Sequence, residues 1–273
     1  MKLNIVPAST GVTWARAGIR TFFRQPLAFT GLFFMFMAAL SVVAIVPVVG
    51  GLLALVLVPA ATVGFMAATE QAAAGRFPMP TILAVGFRRG PRATRALLLL
   101  GALYAAAIAL VVGISALIDG GRFAQLYAGG EGISRDMVMD AEFRTAMWVA
   151  TLLYLPVSLL FWHAPALVHW YAVPPVKSLF FSAVAVLKNS RAFLLYGATW
   201  MLVSFAAGLL LLLLTLATGS PTIAQVGLVP AALVMAAMFF ASIWFSFRDS
   251  FSPDEQDAAA LPPDPGDAAL PGA

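Results

Sequence analysis

The sequence predicts an all-α fold: a polytopic membrane helical bundle, six transmembrane helices with basic amphipathic interfacial arms. Three observations predict it. The composition is 62% hydrophobic and 10% charged, where soluble domains carry about 25% charged residues. Charge-free runs recur at about 20 residues, the length that crosses the hydrocarbon of a bilayer. Within hydrocarbon the backbone polar groups must pair inside their own segment, so these runs are helices.

The elements follow in order. Thr13–Arg24 is a basic amphipathic arm, with Arg16, Arg20 and Arg24 at i, i+4 and i+8 on one stripe and Val12, Ala15, Ile19, Phe22 and Phe23 on another face. Such a helix is expected in the headgroup layer, aromatics down and arginines on lipid phosphate. Spans are expected near Leu27–Val46, Val48–Ala68, Ala96–Ile118, Ala146–Val168, Phe193–Thr218 and Val226–Phe247. Pro47, Gly50 and Gly51 supply a turn between the first two. Lys2 and Pro7 stand where a signal peptide would carry its apolar segment, so the first span is expected to stay as an anchor.

Charge sets the orientation. Thirteen of the sixteen Lys and Arg fall on one side: Lys2, Arg16, Arg20, Arg24, Arg76, Arg88, Arg89, Arg92, Arg95, Lys177, Lys188, Arg191 and Arg248. The other side holds Arg122, Arg135 and Arg144. Basic loops stay cytoplasmic. The expectation is a bacterial inner (cytoplasmic) membrane protein with both termini cytoplasmic and the mildly acidic loop 119–145 periplasmic.

Residues 1–248 read as a single membrane domain with a threefold arm-plus-hairpin repeat, 11–75, 78–172 and 174–248. The arms are Thr13–Arg24, Thr81–Arg95 and Val176–Arg191, and Gly90-Pro91 is expected to split the second into two short pieces. Each unit ends on a helix with a Pro-Ala step, at Pro59, Pro165 and Pro230, where kinks are expected. The units share one topology, unlike the inverted repeats of many transporters. The remaining tail, 249–273, is rich in Pro, Ala and acids and is expected to be disordered.

Little in the sequence points to catalysis. The chain contains no Cys, so thiolate metal sites and cysteine nucleophiles are excluded. The predicted span interiors hold no Asp, Glu, Lys or Arg, the groups that mark ion and proton paths. His163 and His169 lie six residues apart, about 600° around a helix, and so face different ways. His163 is expected to pack as a hydrogen-bonded histidine, and Trp162 to pack within the bundle. Trp148, Trp170, Tyr171, Tyr196, Trp200 and Trp244 stand near predicted ends, as aromatic belts do. Ala60/Gly64/Ala68, Ala105/Ala109/Gly113 and Ala232/Ala236 space small residues by four, which lets helices approach closely. Gly129-Gly130-Glu131-Gly132 lacks a following Gly-Lys-Ser/Thr and is no phosphate loop. Catalytic residues, metal, cofactor and nucleic-acid binding are not expected.

Three segments carry a resemblance: Gly18-Ile19-Arg20-Thr21-Phe22-Phe23-Arg24-Gln25-Pro26, Trp162-His163-Ala164-Pro165-Ala166-Leu167-Val168, and Lys177 to Phe193 with its Lys188-Asn189-Ser190-Arg191 step. On these the chain resembles a family of bacterial six-helix inner-membrane proteins over about residues 10–248. It is also similar to the membrane domain attached to some glycerophosphodiester phosphodiesterases. The resemblance implies a multi-pass membrane protein in contact with lipid. No phosphodiesterase domain is expected within these 273 residues, so the resemblance implies no catalytic role.

The expected function is non-enzymatic: a membrane organiser whose arms hold anionic phospholipid or a membrane-protein partner. The headgroup-binding residues expected are Arg16, Arg20, Arg24, Arg88, Arg89, Arg92, Arg95, Lys177, Lys188 and Arg191. The alternative is a carrier or channel for a small apolar or zwitterionic solute, passing the kinks at Pro59, Pro165 and Pro230. These prolines lie at unequal depths, so they are expected to shape the bundle and not to line a continuous pore.

Overall fold

A computed structural model describes residues 1–47, 49–127 and 134–252. It contains β1 (Lys2–Leu3), α1 (Thr10–Arg24), α2 (Pro26–Ala44), α3 (Gly50–Ala73), a 3-10 helix (Pro80–Phe87), α4 (Pro91–Asp119), α5 (Arg122–Tyr127), α6 (Arg135–Met139), α7 (Ala141–Phe161), α8 (Ala164–Tyr171), α9 (Pro175–Lys188), α10 (Ser190–Thr218), α11 (Pro221–Ser250) and β2 (Phe251–Ser252). Among the described residues, six helical stretches are long and apolar enough to cross a membrane: α2, α3, α4, α7 with α8, α10 and α11. Proline opens α2, α4, α8, α9 and α11, where its missing N–H would be unpaired in any case. Left-handed Gly120 and Gly219 close α4 and α10.

α3 lies at the centre, packed on α2, α4, α8, α11 and the 3-10 helix. Its small residues allow this: a Cβ added at Gly64 would come within 2.7 Å of the Leu83 Cα, and Ala60 and Ala68 are buried. This stripe therefore serves packing inside the chain. Phe33, Phe36, Phe65 and Phe240 join α2, α3 and α11, with the Phe65 and Phe240 rings 5.0 Å apart. The half of α10 beyond Trp200 is exposed along most of its length.

The fourth span is not continuous. α7 ends at Phe161, and α8 restarts at Ala164 with Pro165 in its first turn. Pro165 has no N–H to donate to the carbonyl of Phe161, so the helix breaks there. The expected kink at Pro165 is thus a break before it, whereas Pro59 and Pro230 lie inside α3 and α11. Pro59 and Pro165 are buried and Pro230 is exposed, so the three do not face one common interior. The second arm is split at Gly90-Pro91 as expected, into the 3-10 helix and a second piece. That second piece is not short: it is the opening of α4 itself, because Pro91 starts that helix.

The two ends of the described chain meet at one end of the bundle, called here the terminal end. β1 pairs with β2 in antiparallel fashion, Lys2 opposite Ser252. The Asn189 side chain accepts from Val6 N at 2.9 Å and donates to the Asn4 carbonyl at 3.0 Å. Residues 249–252 are therefore ordered, contrary to the expected disorder from Asp249 onward. β2 is fixed by its ladder to β1, and Asp249 accepts from Trp14. The rest of the tail, 253–273, lies outside the described residues, as does Gly129–Gly132.

At the far end, Arg122 clips the loop between α4 and α7. Its guanidinium donates to Asp140 at 2.8 Å and to Glu142 at 3.0 Å. Asp140 also caps α7, accepting from the amides of Glu142 and Phe143 at 2.8 and 3.0 Å. The Phe143 amide, and then Arg122, hold the Asp140 carboxyl below its ordinary value. A depressed acid contributes stability above the unfolded pKa of about 3.9, and that contribution is lost as the pH falls through the lower folded value. The clip is thus expected to stay closed at pH 5 and above, to weaken below about pH 4, and to open only once the pH has fallen through the lowered folded value. Amide hydrogen exchange at Glu142 and Phe143 checks this, and Asp140→Ala, which removes the capping acceptor, should show the open-state exchange at every pH.

Candidate functional site

The three arms come together at the terminal end. α1 presents Arg16, Arg20 and Arg24 on its exposed side and buries Trp14, Ala15, Gly18, Thr21 and Phe22 on the other. That buried face does not meet lipid, as its amphipathicity led one to expect. It packs on α10 and α11. The Trp14 ring lies 5.2 Å from Phe193 and 6.1 Å from Tyr196, and its Nε1–H donates to Asp249 Oδ2 at 2.9 Å. Asp249 Oδ1 takes Arg248. A Cβ at Gly18 would overlap Ser242, whose hydroxyl is bonded to Tyr196. Phe23 remains outside, 65% exposed, beside the arginines.

In the second arm, Arg88 and Arg89 sit exposed on the link between the 3-10 helix and α4, and Arg92 and Arg95 are exposed at the start of α4. Gly90 makes that link at φ 97, a conformation open to glycine. In the third arm, α9 buries Ser178, Ser182, Ala185 and Val186, while Lys177 and Lys188 stay exposed. Arg191 is exposed in the first turn of α10. The contacts close a circuit: α1 to α2, α2 to the 3-10 helix, the 3-10 helix to α4, α4 to α9, α9 to α10, and α10 back to α1. Every expected headgroup residue is exposed on this circuit. The charges are spread over it and share no pocket.

Beneath the arms lies a buried polar cluster that sequence reasoning saw only in part. Ser246 of α11 accepts Trp162 Nε1–H at 3.1 Å, lies 3.2 Å from His163 Nε2, and donates to the Ile243 carbonyl at 2.8 Å. Its only hydrogen is thus spent, so His163 carries its proton on Nε2. Ser182 donates to the Leu159 carbonyl and accepts the His163 amide, closing the break between α7 and α8. His163 and Trp162 therefore pack within the bundle as expected. His169 is buried too, its ring 4.8 Å from Trp170. Among the described residues no three His, Cys, Asp or Glu side chains stand where they would hold a metal. Tyr196, Trp200 and Trp244 are buried in the bundle and not belted at its rim. Trp148 is 61% exposed, as a belt residue is.

Two apolar cavities stand out among the described residues. One, of about 270 Å³, lies towards the far end between α3, α4, α5 and α7; Leu55, Tyr104, Ile108, Val111, Phe123, Ala150, Thr151 and Tyr154 are among the residues that line it. The other is an open groove of about 740 Å³ between α10 and α11, lined by Trp200, Phe205, Phe239, Phe240 and small residues including Ala232 and Ala236. Neither is lined by Pro59, Pro165 or Pro230.

No protein-family profile and no solved structure matches the chain. The chain is 42% identical over 265 residues to a "Probable inner membrane protein" of Burkholderia thailandensis, an alignment covering 96% of this chain and 98% of that protein. The chain belongs to the family of this inner membrane protein and is itself a multi-pass inner membrane protein with six helices able to span the bilayer.

Proposed function

We propose that the protein is a non-enzymatic membrane organiser whose three arms hold anionic phospholipid headgroups at the terminal end. One observation carries the reading: Arg16, Arg20 and Arg24 stand in an exposed stripe on a helix whose opposite face is locked into the bundle. A mobile surface helix loses entropy when it settles on a headgroup. A fixed one presents its guanidinium groups already arranged, which favours binding. Each Arg near an anionic surface is worth about 1 kcal/mol. The basic residues of the other two arms extend the same surface. In this reading the terminal end is cytoplasmic, because basic segments are retained there. The resemblance to a membrane domain borne by some glycerophosphodiester phosphodiesterases fits a protein working beside lipid.

The test is lipid retention. Arg16→Glu, Arg20→Glu and Arg24→Glu together are expected to lower the cardiolipin or phosphatidylglycerol retained in native mass spectrometry by about tenfold or more. Reporter fusions after Thr10, in Gly129–Gly132 and after Asp257 must first show that the orientation is kept, since these charges also orient the chain. Unchanged retention with intact topology would sink the reading. A protein subunit retained in place of lipid would make the arms a partner surface.

A further inference from the structure

The third arm is built inside out. α9 buries Ser178 and Ser182, both 0% exposed, and leaves Val176, Phe180 and Leu187 outside at 67%, 64% and 61%. The three stand at i, i+4 and i+11, within about 40° of one another around the helix. A helix resting on the bundle in water turns its serines out and its large apolar side chains in, because apolar area left in water is unfavourable. α1 follows that rule, with Arg16, Arg20 and Arg24 on its outward face. α9 reverses it.

The inward serines hold the helix in this rotation. The Ser178 hydroxyl donates to the Pro175 carbonyl at 2.7 Å. The Ser182 hydroxyl donates to the Leu159 carbonyl at 2.9 Å and accepts the His163 amide at 2.9 Å. The bond to Leu159 also fixes the depth of α9. Leu159 lies in the last turn of α7, whose 21 residues run about 30 Å, the thickness of bilayer hydrocarbon. Ser182 stands at the middle of α9. The helix therefore lies at the terminal-end edge of the hydrocarbon, where its outward face meets lipid.

Charge is placed to match. Lys177 and Lys188 are both exposed. They too are separated by eleven positions, so they share one line, about 100° round from the apolar stripe. Lysine stems carry their ammonium groups from apolar surroundings to the phosphates. An apolar face flanked by lysines is what holds a helix in the plane of the interface, its apolar side sunk about 5–10 Å.

We propose that α9 is an in-plane anchor. Its Val176, Phe180 and Leu187 stripe lies among the acyl chains of the terminal-end leaflet, with Lys177 and Lys188 reaching to lipid phosphate. The arms thus meet the bilayer at two depths: α1 turns arginines to the headgroups, and α9 turns apolar side chains to the hydrocarbon below them. Any phospholipid supplies both the acyl chains and the phosphate, so the anchor does not need an anionic headgroup.

The experiment measures depth by spin labelling of the full chain in nanodiscs. The chain has no Cys, so one introduced cysteine carries the only label. Phe180→Cys and Leu187→Cys probe the stripe. Leu202→Cys, on the exposed face of α10, and Arg20→Cys, on α1, are the references. In phosphatidylcholine nanodiscs, dissolved oxygen is expected to relax the labels of Phe180→Cys and Leu187→Cys more than a water-soluble nickel chelate does, as at Leu202→Cys. Arg20→Cys is expected to show the reverse order. Adding phosphatidylglycerol should leave each order unchanged, so this anchor and the anionic-headgroup reading fail separately. Nickel above oxygen at Phe180→Cys or Leu187→Cys overturns the anchor, because the stripe would then lie in water. Shielding from both reagents overturns the occupant, because protein would then cover the stripe. An oxygen preference seen only with phosphatidylglycerol also overturns it, because headgroup charge would then hold α9. Should one stripe variant fail to fold, Val176→Cys takes its place on the same face.

Discussion

Replacing Trp14 by alanine is expected to destabilise the protein by about 3–5 kcal/mol, the cost of truncating a fully buried aromatic. Trp14 is 0% exposed. It touches Phe193 and Tyr196 of α10 and bonds Asp249 at the end of α11. Its loss leaves a cavity at the joint of three helices and frees the Asp249 carboxylate of one partner. Trp14→Phe keeps most of the ring contact and loses the hydrogen bond, so about 1.5–3 kcal/mol is expected there, as for a bond to a charged group. Thermal unfolding in detergent measures both. Limited trypsin digestion adds a local readout, because α1 carries Arg16, Arg20 and Arg24 on its exposed face. If α1 undocks, cleavage after these arginines should quicken well before the spans unfold. A Trp14→Ala protein with wild-type melting and unchanged cleavage would mean that α1 is not held by this residue.

Trp14 also shows where the sequence was legible and where it was not. An apolar stripe opposite three arginines is visible from spacing alone. What covers the stripe is not, because lipid and protein present similar apolar surfaces. The six spans were legible because a bilayer imposes both a length and an absence of charge. Their ends were less so. α4 begins at Pro91 and α11 runs on to Ser250, beyond Ala96 and Phe247, because a helix continues through the headgroup layer where hydropathy no longer reports it. The break at Trp162–His163 left no mark in hydropathy either, although Pro165 encodes it. Two-residue strands such as β1 and β2 have no periodicity to detect, and the Asn189 bridge to Asn4 and Val6 spans more than 180 positions in sequence. For the basic arms, exposure was legible because unpaired charge stays in water. Their closure into one circuit was not, since it depends on which helices touch.

Replacing Ser246 by valine is expected to cost about 2–6 kcal/mol, because it strands two buried donors at about 1–3 kcal/mol each. Trp162 Nε1–H and the Nε2–H of His163 both end on the Ser246 oxygen. Valine is close in size and has no acceptor. The cluster sits where α7 gives way to α8, so the break in the fourth span should loosen first. Hydrogen exchange at the amide of His163, held by Ser182 at 2.9 Å, should rise more than exchange at the centre of α3. The energetic asymmetry of buried hydrogen bonds supplies the control. Removing donors together with the acceptor can be nearly neutral, so Trp162→Phe and His163→Leu should recover much of the stability lost in Ser246→Val. Were Ser246→Val as stable as the wild type, the hydroxyl would not be holding the joint. Failure of the triple variant to recover would point instead to valine's shape, and the loss would then belong to packing between α8 and α11.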